Sequence, residues 1–159
     1  IEELIDVGRA SGAVVFNVIP DRNYTRGVPD QKLSNLLEIV RITEDLGLPL
    51  LGGTEMNSPG QKFVDDFSSA ELAPLHPVFL RGSRILHAHS TLQKLGGMGY
   101  LSEWAADQFS DFFQKNSFYE EFGEVFSPRA DRALGDRIGS GQSSAEVLAL
   151  ARQAMSEFS

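Results

Sequence analysis

The chain has 159 residues, 42% of them hydrophobic, which is enough to build one domain with a sizeable core. It contains no cysteine, and this excludes a disulfide scaffold, a cysteine zinc site and a thiol nucleophile. Its 22 acidic and 14 basic residues give a net charge of −8, which would repel a nucleic acid. No apolar run of transmembrane length and no pattern typical of a signal peptide is found. These features predict a cytoplasmic protein that binds neither nucleic acid nor membrane.

The first residues predict a helix followed by a buried strand. The segment "IEELIDVGRASG" has a helical pattern that ends at Gly12, a typical residue after a helix. Because the chain begins with Ile inside this pattern, we expect it to be a fragment of a longer protein. Residues 13–19, "AVVFNVI", are apolar and β-branched, as in a strand of a parallel sheet that is buried on both faces.

A helix and a second strand follow. Asp30 can cap the helix and Gly47 marks its end. The apolar residues of this helix repeat at helical spacing: Leu33, Leu36, Leu37 and Val40. Residues 48–53, "LPLLGG", form the second short apolar strand. Strand, helix and strand in this order predict a right-handed parallel unit.

A third strand is predicted over residues 84–89, "RILHAH". Residues 68–82 before it have a helical pattern, which Pro74 and Pro77 are expected to break or kink. Three strands of this kind predict an α/β fold with a parallel sheet.

The remainder of the chain is predicted to be helical. Ser102 can cap a helix, and "SSAE" at 143–146 is a capping box that opens the last one. The apolar residues that the first of these helices places on one side are Trp104, Ala105, Phe109, Phe112 and Phe113. The sequence gives no assignment for 117–142. We therefore divide the chain into strand and helix units over 1–102 and a helical segment over 103–159, which packs on the same domain.

Polar residues follow each predicted strand. They are Asp21, Arg22 and Asn23 after the first, Thr54, Glu55 and Asn57 after the second, and His87, His89, Ser90 and Thr91 at the end of the third. The carboxyl ends of parallel strands lie at one edge of a sheet, where ligands bind. If the three strands are parallel in one sheet, these residues converge on a single site.

A divalent metal is the expected occupant of this site. Residues two apart on a strand point to the same face, so His87 and His89 could share an ion with Glu55. The alternatives are that one histidine hydrogen-bonds a neighbouring carbonyl, and that Glu55 is a general base, a solvated carboxylate or a partner of Arg22. Asp21 and Glu55 are the candidate catalytic residues.

Substrate binding is assigned to the loops after the first two strands. Asp21 and Arg22 could position an anionic group, with Asn23 beside them, or they could form an ordinary surface turn. The loop with Asn57, Gln61 and Lys62 is long and polar enough to close over a ligand, or it is a solvated crossover.

Three segments together resemble the later strands of a metal-dependent hydrolase barrel of the PHP and amidohydrolase type, above all a bacterial PHP-like group. They are "VVFNVIPDRN", "LGLPLLGGTEMNSPGQKFVDDF" and "ILHAHSTLQ". The resemblance lies in motif order and covers residues 1–108. It implies a distorted TIM-like barrel, of which this chain supplies the C-terminal part, and a bound zinc, manganese or iron ion.

The chain also departs from this family. PHP-type proteins carry His-x-His near the first strand and Asp-x-His near the last, whereas here His-x-His follows two other strands and Asp-x-His is absent. By motif position Glu55 matches the carboxylate that bridges metals in that family. His87 and His89 match by residue type only.

Two functions are therefore considered. The first is the C-terminal portion of a metal-dependent hydrolase that acts on a phosphoester or amide of a small molecule, inactive as a fragment. The second is a non-catalytic ligand-binding or oligomerisation domain, whose partner is a second copy or the remainder of a larger chain. The second rests on the aromatic residues Trp104, Phe109, Phe112, Phe113, Phe118, Tyr119 and Phe122.

Overall fold

The computed structural model describes residues 1–20, 31–57, 59–60 and 63–157. The α-helices in this part of the chain are α1 (Glu2–Ala10), α2 (Gln31–Asp45), α3 (His76–Gly96), α4 (Glu103–Gln108), α5 (Phe112–Val125), α6 (Asp131–Gly135) and α7 (Ser144–Ser156). The strands are β1 (Phe16–Val18) and β2 (Leu50–Gly52), and short 3₁₀ turns cover Ala73–Leu75 and Pro128–Ala130. The chain divides into two compact units, residues 1–83 and 84–159, and the division falls inside α3.

The predicted TIM-like barrel is wrong. In the described ranges the only sheet is a pair of three-residue strands, and most of the chain is helical. An eight-stranded barrel closes on itself through strand pairing all the way round, which two strands cannot do. The fold class is therefore mainly helical, with one small parallel pair.

The predicted third strand over 84–89 is also wrong, because these residues lie in the middle of α3. Buried residues between positions 75 and 92 include Leu75, Phe79, Gly82, Ile85, Ala88 and Leu92. They are spaced by three or four positions, which is the period of a helix with one buried face. Pro77 does not interrupt α3, because it occupies the first turn, where a proline removes no hydrogen bond.

The first unit contains the predicted strand, helix and strand. β1 and β2 pair in parallel, with Phe16 opposite Leu50 and Val18 opposite Gly52. Both strands are shorter than predicted. As predicted, Gly47 marks the end of α2, which it follows by two residues, and its φ of 63° is a conformation that glycine adopts without strain. The core beneath the pair consists of Val18, Leu36, Val40, Leu50, Leu72, Leu75 and Phe79.

Gly82 allows α3 to approach β2 at backbone distance. A side-chain carbon at this position would overlap the carbonyl oxygen of Leu50. Because main-chain atoms of a strand cannot move aside as a flexible side chain can, only glycine fits here.

The second unit is a helical cluster with an aromatic core. Ser102 caps α4 and Ser143 with Glu146 forms the capping box of α7, both as predicted. The rings in contact include Trp104, Phe109, Phe118, Tyr119, Phe122 and Phe126. Gly123 of α5 lies against the backbone of Arg84 in α3, at a position where a side-chain carbon would again overlap a carbonyl oxygen. Small residues of this kind let two helices approach closely.

None of the helices in the part of the chain that is described is both long and apolar enough to cross a bilayer.

We expect Gly82→Ala to destabilise the protein. Alanine would favour the helix by about 1 kcal/mol, but overpacking against a strand backbone costs about 1–3 kcal/mol, so a net loss is expected. Gly141→Ala is the control, since its added carbon meets nothing within 4 Å. Urea denaturation would measure both variants. Equal stability of Gly82→Ala and the parent would contradict the close approach.

Candidate functional site

The carboxyl ends of β1 and β2 lie side by side. The Gly53 N–H donates to the carbonyl oxygen of Val18 at 2.7 Å, so the pairing extends one residue beyond β2. Val18 points into the core whereas Asn17 is exposed, as the alternation of side chains along a strand requires. A side-chain carbon on Gly53 would lie 2.7 Å from Asn17 Nδ2. The Asn17 amide therefore rests directly on the backbone of Gly53.

Glu55 and Asn57 follow on the loop after β2. Asn57 Nδ2 donates to Glu55 Oε1 at 2.6 Å, and the carboxylate belongs to a half-buried residue. This hydrogen bond restrains the carboxylate close to the strand end. A carboxylate so placed can accept hydrogen bonds from hydroxyl, ammonium or guanidinium groups, or can bind a hard cation.

Five of the predicted site residues lie outside the described part of the chain. They are Asp21, Arg22, Asn23, Gln61 and Lys62. Their catalytic and substrate-binding roles stay predictions.

His87 and His89 are not on a strand, so the geometry on which their shared metal was based is wrong. Both lie in α3, where residues two apart are rotated by about 200° around the helix axis. His87 Nε2 lies 3.2 Å from the carbonyl oxygen of Phe126, and His89 Nδ1 accepts the Tyr100 N–H at 2.9 Å. The structure therefore directs the two imidazoles to different backbone partners. The contact of His87 is the carbonyl hydrogen bond considered above as the alternative to metal binding.

Glu55 and the histidines belong to different units of the chain. Within the described ranges no group of three or more His, Asp or Glu side chains is arranged to hold a metal ion. On the loop after β2, residues 53–57 supply one carboxylate, that of Glu55. A bound zinc, manganese or iron ion stays a prediction.

The aromatic residues that favoured a docking function are mostly in the core of the second unit. Trp104, Phe118, Tyr119 and Phe122 are buried, and Trp104 also donates its Nε1–H to the carbonyl oxygen of Gln142. Phe112 and Phe113 stay exposed, at 38% and 59%. Internal packing thus accounts for most of the aromatic residues on which the oligomerisation hypothesis rests.

Comparisons of the chain with protein-family models, with curated proteins and with solved structures give no match. The resemblance to PHP-type hydrolases therefore rests on the order of motifs in the sequence.

We expect His87→Ala and His89→Ala each to lower the free energy of unfolding by about 1–2 kcal/mol, because each removes a hydrogen bond to a partly buried backbone group. His76→Ala is the control, since it removes the imidazole of an exposed histidine. Chemical denaturation gives the stabilities, and elemental analysis of the same samples gives the metal content. A fall in bound metal without a loss of stability would contradict the structural role.

Proposed function

We propose that the carboxyl edge of the β1–β2 pair binds a small polar molecule and that Glu55 recognises it. The observation that carries this proposal is the restrained carboxylate of Glu55, which Asn57 holds at the end of a parallel strand. The carboxyl edge of parallel strands is where ligands bind in open sheets that are connected through helices. Asn17 adds an exposed amide at the same edge, where it can donate and accept hydrogen bonds.

The charge of the site favours ligands with a cationic group or several hydroxyl groups. When ionised, Glu55 accepts hydrogen bonds only, and its negative charge attracts a cation. The net charge of −8 also attracts cations to the surface of the chain. An amine or a guanidine, recognised through hydrogen bonds to a charged acceptor, matches this site best.

Metal-dependent hydrolysis of a phosphoester or amide is the second candidate function. The placement of Glu55 favours it, because this residue matches the bridging carboxylate of PHP-type hydrolases and lies at a strand end, where such a ligand is expected. The remaining ligands would have to come from beyond the described ranges, with Asp21 as the first candidate. A zinc, manganese or iron ion is the cofactor that this candidate requires.

The two candidates differ in the probe that they bind. We would titrate the chain with cadaverine, as a diamine, and separately with Mn²⁺, and follow binding by isothermal titration calorimetry. Heat from cadaverine alone supports small-molecule recognition. Heat from Mn²⁺, with hydrolysis of a phosphoester in its presence, supports the hydrolase.

We expect Glu55→Gln to weaken cadaverine binding about tenfold or more, because a hydrogen bond to a charged group contributes about 1.5–3 kcal/mol. Glu38→Gln is the matched control. It makes the same change of charge in the same unit, at an exposed position on α2. If both variants weaken cadaverine binding equally, the loss comes from the change in net charge. That result would contradict a site at Glu55.

We expect Asn57→Ala to weaken cadaverine binding less than Glu55→Gln does. It keeps the carboxylate but removes the hydrogen-bond donor that restrains it. Unchanged cadaverine binding in both Glu55→Gln and Asn57→Ala would place the ligand elsewhere.

A further inference from the structure

The chain contains three methionines, and the structure describes all of them. Met56 lies on the loop after β2 and is 55% exposed. Met98 of the second unit is 0% exposed. Met155 of α7 is half-buried. A molecule dissolved in water therefore has most access to the side chain of Met56.

The side chains of Met98 and Met155 are shielded by their neighbours. A side-chain carbon on Gly96 would lie 2.6 Å from the methyl carbon of Met98, so the end of this side chain packs against the glycine backbone. Met155 Sδ accepts the backbone N–H of Ser127 at 3.3 Å. An oxygen atom added to the Met98 sulfur would be a polar group in a closely packed interior, which is unfavourable without a hydrogen-bond donor.

Met56 meets the requirements for attack on an electrophilic oxygen. A thioether sulfur carries no proton, so its lone pairs are available whatever the pH, and access then decides how readily it reacts. The exposed position of Met56 gives that access. The product, a polar sulfoxide, would lie where water can hydrogen-bond to its oxygen.

We propose that Met56 is a site of oxidation by hydroperoxides, and that it reacts ahead of Met98 and Met155. A sulfur lone pair attacks the terminal oxygen of the peroxide, and an S–O bond forms while the O–O bond breaks. The proton on the transferred oxygen passes to the departing oxygen. The thioether is thus oxidised to a sulfoxide, and the peroxide is reduced to water or an alcohol. The inference is independent of ligand binding by Glu55, although the modified residue is its neighbour in the chain.

The test is a time course of the whole chain in hydrogen peroxide, with the sulfoxide fraction of each methionine measured by peptide mass spectrometry. The rate for each methionine in the folded chain is divided by its rate in urea, which removes the influence of neighbouring sequence. We expect a ratio of about one for Met56, a ratio about tenfold lower for Met98 and an intermediate ratio for Met155, because oxidation follows access. A ratio for Met56 that is equal to or below either of the others would overturn the proposal.

Met56→Leu tests the assignment, because it removes the sulfur at an exposed position, where the variant should fold. The rapid uptake of one oxygen atom, seen as a mass increase of the intact chain, should be lost. Met155→Leu is the matched control and should keep this rapid uptake. Rapid uptake in Met56→Leu, or its loss in both variants, would contradict the assignment.

The stability of the oxidised chain tests the surface position of the sulfur. The chain oxidised at Met56 alone should unfold at the same urea concentration as the unmodified chain, because surface changes have little effect on stability. A clearly lower midpoint would place the Met56 sulfur in packed surroundings. It would contradict the exposure on which the proposal rests.

Discussion

The parallel pairing of β1 with β2 is the interaction on which the first unit and its candidate site depend. Each strand has three residues, and a two-stranded pair of this length is not stable by itself in water. Val18 and Leu50 point from the two strands into a core that α2 and the start of α3 complete. The pair is therefore stable because helices cover its apolar face. This packing determines the geometry of the candidate site.

Gly82 links the packing of α3 to the position of β2. Since it has no side chain, the helix backbone meets the carbonyl of Leu50, two residues before the end of the strand. Glu55 follows three residues after β2 ends. A change at the helix contact would thus move the strand that carries the proposed recognition group, although Gly82 itself takes no part in binding.

The local part of this fold could be predicted from the sequence. The helical spacing from Leu33 to Val40 and the glycine at 47 define α2, and the β-branched run before Pro20 contains β1. The segment 84–89 could not be assigned in this way, because a short apolar run is compatible with either a strand or a buried helix. Its helical period becomes visible only over the longer range from Leu75 to Leu92, which contains Pro77, a residue expected to break or kink a helix.

The candidate site was predictable where it depended on neighbours in sequence and not where it depended on tertiary structure. Glu55 and Asn57 were identified because they follow an apolar strand in a polar loop. Asn17 was not predicted, because it lies at the candidate site only through the pairing of β1 with β2, which brings its amide against Gly53. The histidine pair was assigned to a metal because residues two apart point to the same face of a strand. On a helix, residues two apart point to nearly opposite sides, so the same spacing separates the two side chains. Its actual partners, Phe126 and Tyr100, are distant in sequence and give no local signal.

The register of β1 against β2 is the most direct test of the site. Nuclear Overhauser contacts in an isotope-labelled sample would show which backbone protons face one another, and hydrogen exchange would report on the Gly53 amide. We expect contacts that match Phe16 with Leu50 and Val18 with Gly52, together with a protected Gly53 amide bonded to Val18. A shift of one residue would turn Asn17 into the core and away from Gly53. That result, or an unprotected Gly53 amide, would contradict the proposed site.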